Sequence, residues 1–237
     1  MSKKIYNFPE GEVLLFNKPY GWTSFDLVNK VRCQLKYVLK IKKIKIGHAG
    51  TLDPLATGLL ILCTGKFTKQ IESYQALEKE YTGTFYLGAT TPSSDMETAV
   101  DKMYDISHIS EFMIKEKAQM FTGELMQTPP LFSAKKLEGE RAYEYARRGE
   151  LRILEKNQIC IREFEITGIQ MPEVTFRVVC SKGTYIRSLA RDFGEALGAG
   201  AYLRALCRTR IGEFKLEDSM ELEVFEKVIG SIKSELE

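Results

Sequence analysis

The segment Gly47-His48-Ala49-Gly50-Thr51-Leu52-Asp53-Pro54-Leu55-Ala56-Thr57-Gly58 decides how this chain is read. Its twelve residues include three glycines, two threonines and a proline. Glycine loses more backbone freedom on ordering than any other residue, and Asp-Pro favours a turn, so this is a loop whose shape is required. Two accounts fit its chemistry. It is either a tight connection in which Asp53 caps a turn and His48 packs locally, or a site that holds an acid in place beside a histidine for catalysis.

Working outward, residues 12–17 (EVLLFN) read as a strand that ends at Lys18-Pro19-Tyr20-Gly21. Thr23-Ser24-Phe25-Asp26 resembles a capping box, and Leu27, Val31, Leu35 and Leu39 then recur every fourth residue, so an amphipathic helix follows. Beyond the loop, residues 59–63 are an apolar strand, 68–76 a helix and 81–87 a strand. The acidic stretch 93–105 reads as loop, and 109–121 as a helix. Thr128-Pro129-Pro130 breaks the chain before a short strand and a basic helix around 140–148. Strands are expected at 158–166, 174–180 and 208–214, with a helix at 185–197. Strands and helices alternate without a regular βαβ rhythm. The fold class is therefore α+β, with a mixed, largely antiparallel central sheet flanked by helices.

A chain of 237 residues can bury a sizeable core, and its 44% hydrophobic and 28% charged residues suit a soluble globular protein. No linker divides it, so one domain is expected over 1–237, closed by a short acidic tail over 215–237. No apolar run approaches the roughly 18 residues of a membrane span, and the N-terminus lacks a signal-peptide core. A cytoplasmic location with no membrane partner is expected. Cys33, Cys63, Cys160, Cys180 and Cys207 are odd in number and contain no Cys-x-x-Cys pair; with only His48 and His108 beside them, neither disulfides nor a metal are expected. The cysteines read as reduced and mostly buried.

The net charge of +2 says little, but its distribution says more. Residues 27–47 carry seven basic side chains (Lys30, Arg32, Lys36, Lys40, Lys42, Lys43, Lys45) and no acid, while the chain from Glu213 onward carries eight acids against three lysines. This asymmetry suits a phosphate-binding face, or simply a solvated helix. Two other leads close. Gly65-Lys66-Phe67 ends like a phosphate-binding loop, but Phe67 replaces the required Ser/Thr and Leu60 the first glycine. His48 and Asp53 lack a nucleophilic partner for a hydrolase triad.

The loop is similar to the signature of the TruB family of pseudouridine synthases, closely GH-x-G-T-L-D-P-x-A-x-G. Gly47, His48, Gly50, Thr51, Leu52, Asp53, Pro54, Ala56 and Gly58 match it. Further motifs follow in the family's order: Lys18-Pro19-x-Gly21-x-Thr23-Ser24, Lys79-Glu80-Tyr81, Thr128-Pro129-Pro130 with Ser133-Ala134-Lys135 and Arg141-Ala142-Tyr143, and Gly183-Thr184-Tyr185-Ile186-Arg187-Ser188-Leu189. The resemblance covers roughly residues 13–214.

It implies a stand-alone enzyme that isomerises uridine to pseudouridine at position 55 in the T-loop of tRNA. No cofactor and no obligatory protein partner are implied, and a monomer is expected. Asp53 is the implied catalytic residue. Tyr81 stacks on the base, Arg187 pairs with the aspartate, Leu206 closes an apolar side, and Tyr185 and Lys18 support the pocket. His48 fills the space left by the flipped base. Lys36, Lys40, Lys42, Lys43, Lys135, Arg141 and Arg208 grip the T-stem, helped by an RNA-gripping insertion at about 126–152. Many bacterial members carry a PUA-type domain after the catalytic one. Only about 23 residues follow Phe214 here, so none is expected. Three rivals stand beside this reading: a synthase acting on another RNA or with a guide, an RNA-folding chaperone with secondary catalysis, and a generic interaction module.

Overall fold

The computed structural model describes residues 6–133, 136–137, 139–150, 152 and 154–236. The elements run β1 (Val13–Lys18), α1 (Ser24–Val38), β2 (Ile46–His48), β3 (Ala56–Thr64), a 3-10 segment (Gly65–Gln70), α2 (Ile71–Ala76), β4 (Lys79–Leu87), β5 (Ala89–Thr90), β6 (Lys102–Met103), α3 (Glu111–Met120) and β7 (Gly123–Gln127). Then come β8 (Lys136–Leu137), β9 (Glu140–Arg141), α4 (Ala142–Arg147), β10 (Asn157–Gln170), β11 (Glu173–Cys180), α5 (Ile186–Ala196), β12 (Ala201–Ile211), β13 (Phe214–Lys215) and α6 (Leu222–Leu236). The main sheet has the strand order β1-β3-β12-β4-β11-β10-β7. It is mixed and largely antiparallel, with flanking helices, as expected of an α+β protein.

The chain forms two compact units, one of Met1–Lys79 with Cys207–Glu237 and the other of Glu80–Leu206. In the first, β1 lies antiparallel to β3 in a register that sets Lys18 opposite Gly58. β2 pairs with the far end of β3, His48 opposite Leu62. The residues between these two pairings are therefore pulled out as a loop whose ends are both strand. Helix α1 begins where the capping box places it: Thr23 Oγ1 accepts from the Asp26 amide, and Asp26 returns to the Thr23 amide. Leu27, Val31, Leu35 and Val38 are buried along its inner face with Phe8, Phe16, Leu222, Phe225 and Ile229. Each such side chain contributes about 1.5–3 kcal/mol. Helix α6 thus completes the core over α1, and Lys30 pairs with Glu226 at 3.1 Å across its edge.

In the second unit, an aromatic cluster of Phe85, Phe121, Phe164, Phe176 and Phe193 holds the sheet against its helices. Phe85 and Phe176 stack at 4.1 Å. Gly83 is required there, because a Cβ would lie 2.5 Å from the Ala205 carbonyl.

Several expectations need correction. The strand expected at 208–214 begins at Ala201 and ends at Ile211, because Ala201, Tyr202 and Leu203 are buried in the sheet, and Phe214 belongs to the separate β13. The acidic stretch contains β6, paired with β5, and of the helix expected over 68–76 residues 68–70 are 3-10 while Ile71–Ala76 is α-helical. Only Cys63 and Cys180 are buried, while Cys33 and Cys160 are exposed.

Candidate active site

The Asp53 loop is fixed from two sides within the first unit. On one side Ser24, the first residue of α1 and 2% exposed, grips Leu52 twice. Its Oγ accepts the Leu52 amide at 2.9 Å and donates to the Leu52 carbonyl at 3.1 Å. The Gly21 amide donates to the Pro54 carbonyl at 2.8 Å, and the Ala56 amide closes the Asp53 turn at 3.1 Å. On the other side Arg208, 1% exposed, donates from Nε to the Leu59 carbonyl at 2.8 Å. Its two terminal nitrogens reach the Thr51 carbonyl at 3.3 Å and the Gly50 carbonyl at 3.2 Å. Gly58, at φ +108°, packs so closely on the Arg208 backbone that a Cβ would lie 2.4 Å from its carbonyl oxygen.

Lys18 lies beneath this loop, fully buried, with its ammonium donating to the carbonyls of Pro19 at 2.8 Å and Trp22 at 2.6 Å. Burial pushes its pKa down to about 8, and the nearby Arg208 charge adds to this, while Asp53 and Asp26 oppose it. Half-buried Asp53 and the buried Arg208 guanidinium are thus both near enough to act on the Lys18 charge. His48 is held below its ordinary pKa by burial first and by Arg208 second, so at neutral pH it is an uncharged imidazole.

Arg208 was expected among the basic groups that face RNA. It is a buried clamp instead: each of its three nitrogens donates to a backbone carbonyl, of Gly50, Thr51 or Leu59, and at 1% exposure the guanidinium is not presented to a phosphate. Lys36, Lys40, Lys42 and Lys43 are exposed. Lys43 also borders a hollow of about 320 Å³ with Lys45, Lys66 and Lys69, three lysines that sequence reading did not place together. Lys135 lies outside the described residues. Arg141 is in β9, opposite Lys136.

In the second unit Tyr81 is buried at 8% exposure, and Tyr185 and Leu206 are half-buried. Arg187 is buried at the start of α5, where it donates to the Phe132 carbonyl at 2.8 Å and lies 3.6 Å from buried Asp95. Sequence reading missed two residues here. Asp95 was hidden in a stretch taken for solvated loop. Gln127, 4% exposed, brackets Tyr185 by accepting its amide at 2.8 Å and donating to its carbonyl at 3.1 Å. A polar side chain just before Thr128-Pro129-Pro130 was the only hint of it.

Among solved structures, a chain from a Cbf5-Nop10-Gar1 complex aligns with a TM-score of 0.70 and 30% identity over 93% of this chain. A chain from an H/ACA RNP bound to a substrate RNA containing 2'-deoxyuridine aligns at 0.66 and 28%. This protein spans about half the length of each, 54% and 53%. The sheet and the pinned aspartate loop place the chain in the class of pseudouridine synthases. More closely, it belongs to the TruB family of pseudouridylate synthases, whose N-terminal domain matches residues 36–186 and whose tRNA pseudouridylate synthase B C-terminal domain matches residues 187–237. It is 56% identical to the tRNA pseudouridine synthase B of Flavobacterium johnsoniae, over 92% of this chain and 96% of that one. It is 54% identical to the enzyme of the same name from Phocaeicola vulgatus, over 92% and 93%.

Proposed function

We propose that this protein isomerises one uridine to pseudouridine in the T-loop of tRNA, with Asp53 as the catalytic residue. The observation that carries the reading is the loop itself: an aspartate held on both sides by buried donors, in a segment matching the family signature, beside Lys18 and Arg208. The reaction breaks the N1–C1′ bond, turns the uracil and rejoins it through C5, so atoms balance without a redox or group-transfer partner. What the chain must supply is a carboxylate in a fixed position and a pocket for a base drawn out of its stack. The uncharged His48 ring suits the space left by a flipped base, which a solvated imidazolium would not fill cheaply. Tyr81, Tyr185, Arg187 and Leu206 keep the roles their motif positions imply.

The exposed lysines give the substrate its electrostatic grip. Lys36, Lys40, Lys42 and Lys43, with the hollow bordered by Lys45, Lys66 and Lys69, form a surface suited to the phosphates of an A-form stem. The tRNA reading is preferred to a guide-dependent one, because identity to the tRNA synthases is 56% against 30% to the Cbf5 chain. On this reading the protein acts in the cytoplasm, as a monomer and without an obligatory protein partner.

The test is carbodiimide primer extension on unmodified tRNA treated with wild type or Asp53→Asn. A single new stop at the T-loop uridine, absent with a variant that still binds tRNA, supports the proposal. A stop that survives in the variant refutes the role of Asp53. Binding without any stop from wild type refutes the substrate.

A further inference from the structure

The Asp53 loop raises a question that the family signature does not answer: what keeps an aspartate on a glycine-rich segment in one position? Three glycines within twelve residues make the backbone permissive rather than stiff. The restraint has to come from outside the loop. Within the first unit, side chains from two distant parts of the chain meet it. Ser24 binds both backbone groups of Leu52, the residue before Asp53. Arg208 spans the loop mouth, holding Gly50 and Thr51 on the entering side and Leu59 on the leaving side.

Arginine suits this task because its planar fork presents several donors at fixed angles, which a lysine ammonium cannot reproduce. The burial also indicates purpose. A guanidinium taken out of water is costly unless its donors are met, and here the acceptors are carbonyls of the loop rather than a carboxylate of the core. Gly58 lets the β3 backbone approach that of Arg208 closely enough for Nε to reach Leu59.

We propose that Arg208 is a positioning residue of this synthase: with Ser24 on the opposite side, it sets the loop backbone that carries Asp53, and its contribution is to the chemical step rather than to tRNA binding. The inference rests on Asp53 being the catalytic residue. Arg208 makes no contact with RNA in this account, so its loss leaves affinity unchanged while misplacing the carboxylate.

The experiment is single-turnover pseudouridylation at saturating tRNA, with affinity from filter binding and the folded fraction from circular dichroism at the assay temperature. Wild type, Arg208→Lys, Arg208→Gln, Ser24→Ala and Asp53→Asn are compared. Misplacing a reacting group by about 1 Å costs roughly 100-fold in rate, so both Arg208 variants are expected to lose about that much per folded molecule. Their tRNA Kd should stay within about threefold of wild type. Ser24→Ala removes only the opposite half of the clamp and is expected to lose about tenfold, also in rate alone.

If Arg208→Lys restores the wild-type rate, charge rather than geometry is at work and the proposal is overturned. It is also overturned if the folded fraction falls while the rate per folded molecule is unchanged, or if affinity falls as much as rate. Should neither Arg208 variant fold, Ser24→Ala decides, and an unchanged rate there sinks the clamp. An active Asp53→Asn overturns the underlying assignment instead, so the two failures are distinct.

Discussion

Gly58→Ala separates the two physical demands that meet at the end of the Asp53 loop. The first is conformational: Gly58 has φ +108°, a region that penalises a Cβ by about 1–2 kcal/mol. The second is steric. The new methyl would lie 2.4 Å from the carbonyl oxygen and 2.6 Å from the nitrogen of Arg208, both backbone atoms that cannot swing aside. Forcing two strands apart to admit one methyl costs about 1–3 kcal/mol more. The total is about 2–5 kcal/mol, or a fall in Tm of about 4–20 °C for a chain of this size. Gly21→Ala is the control. Its φ is +81° but nothing lies within 4 Å of the added carbon, so only the conformational cost applies, about 2–8 °C. Thermal melts of both variants, followed by circular dichroism, provide the comparison. Gly58→Ala should melt below Gly21→Ala and also lose turnover, since the displaced backbone carries the Arg208 clamp. Equal melting temperatures would refute the close packing of β3 on β12 and the reasoning built on it.

Three other outcomes follow from the same geometry. The folded pKa of Lys18 is about 8 against an ordinary 10.5, so between those values the unfolded chain holds more protons and stability rises with pH. The rise amounts to about 3 kcal/mol for this group; urea melts between pH 7.5 and 10 should show it as a wild-type slope that Lys18→Met lacks, with Cys63 and the tyrosines cancelling in the difference. Gln127→Leu takes from the half-buried Tyr185 amide its Gln127 acceptor, while the Tyr185 carbonyl keeps the Leu189 amide, a cost of about 1–3 kcal/mol that lowers the urea midpoint; an unchanged midpoint would mean that the amide finds another acceptor. Lys43→Ala and Lys69→Ala should each weaken tRNA binding and reduce the slope of log K against log salt by about 0.7–0.9, whereas an unaltered slope would place the phosphates elsewhere.

The Asp53 loop was legible because its residue types are those that backbone geometry demands: glycine where φ is positive, Asp-Pro at the turn. Helix α1 was legible for a similar reason, since its capping box and its four-residue repeat both act locally. What escaped was decided by tertiary contacts. Arg208 belongs to a run of arginines, Arg204, Arg208 and Arg210, that composition alone assigns to a surface. Of these, Arg204 and Arg210 do make partly exposed ion pairs, with Glu173 and Glu78. Arg208 differs only because carbonyls from residues 50–59 surround it. Asp95 and Gln127 were missed on the same ground, as single polar residues whose burial depends on partners about 60–90 positions away, Tyr185 and Arg187. Propensity and spacing report on neighbours in the chain and are blind to such pairs.

The clamp also orders events during synthesis. Thr51 and Arg208 are 157 positions apart in a chain of 237, so the hydrogen bond between them closes about two-thirds of its length. A nascent polypeptide acquires its aspartate loop early, and long before it acquires the residue that immobilises it. Contacts of such high sequence separation form late, because the entropy of loop closure must be met before they stabilise anything. The two halves of the clamp therefore mature at different times, Ser24 with the first helix and Arg208 only with the last long strand. On the proposed function, competence for catalysis coincides with completion of the core, and a truncated or stalled chain carries the aspartate without the means to aim it.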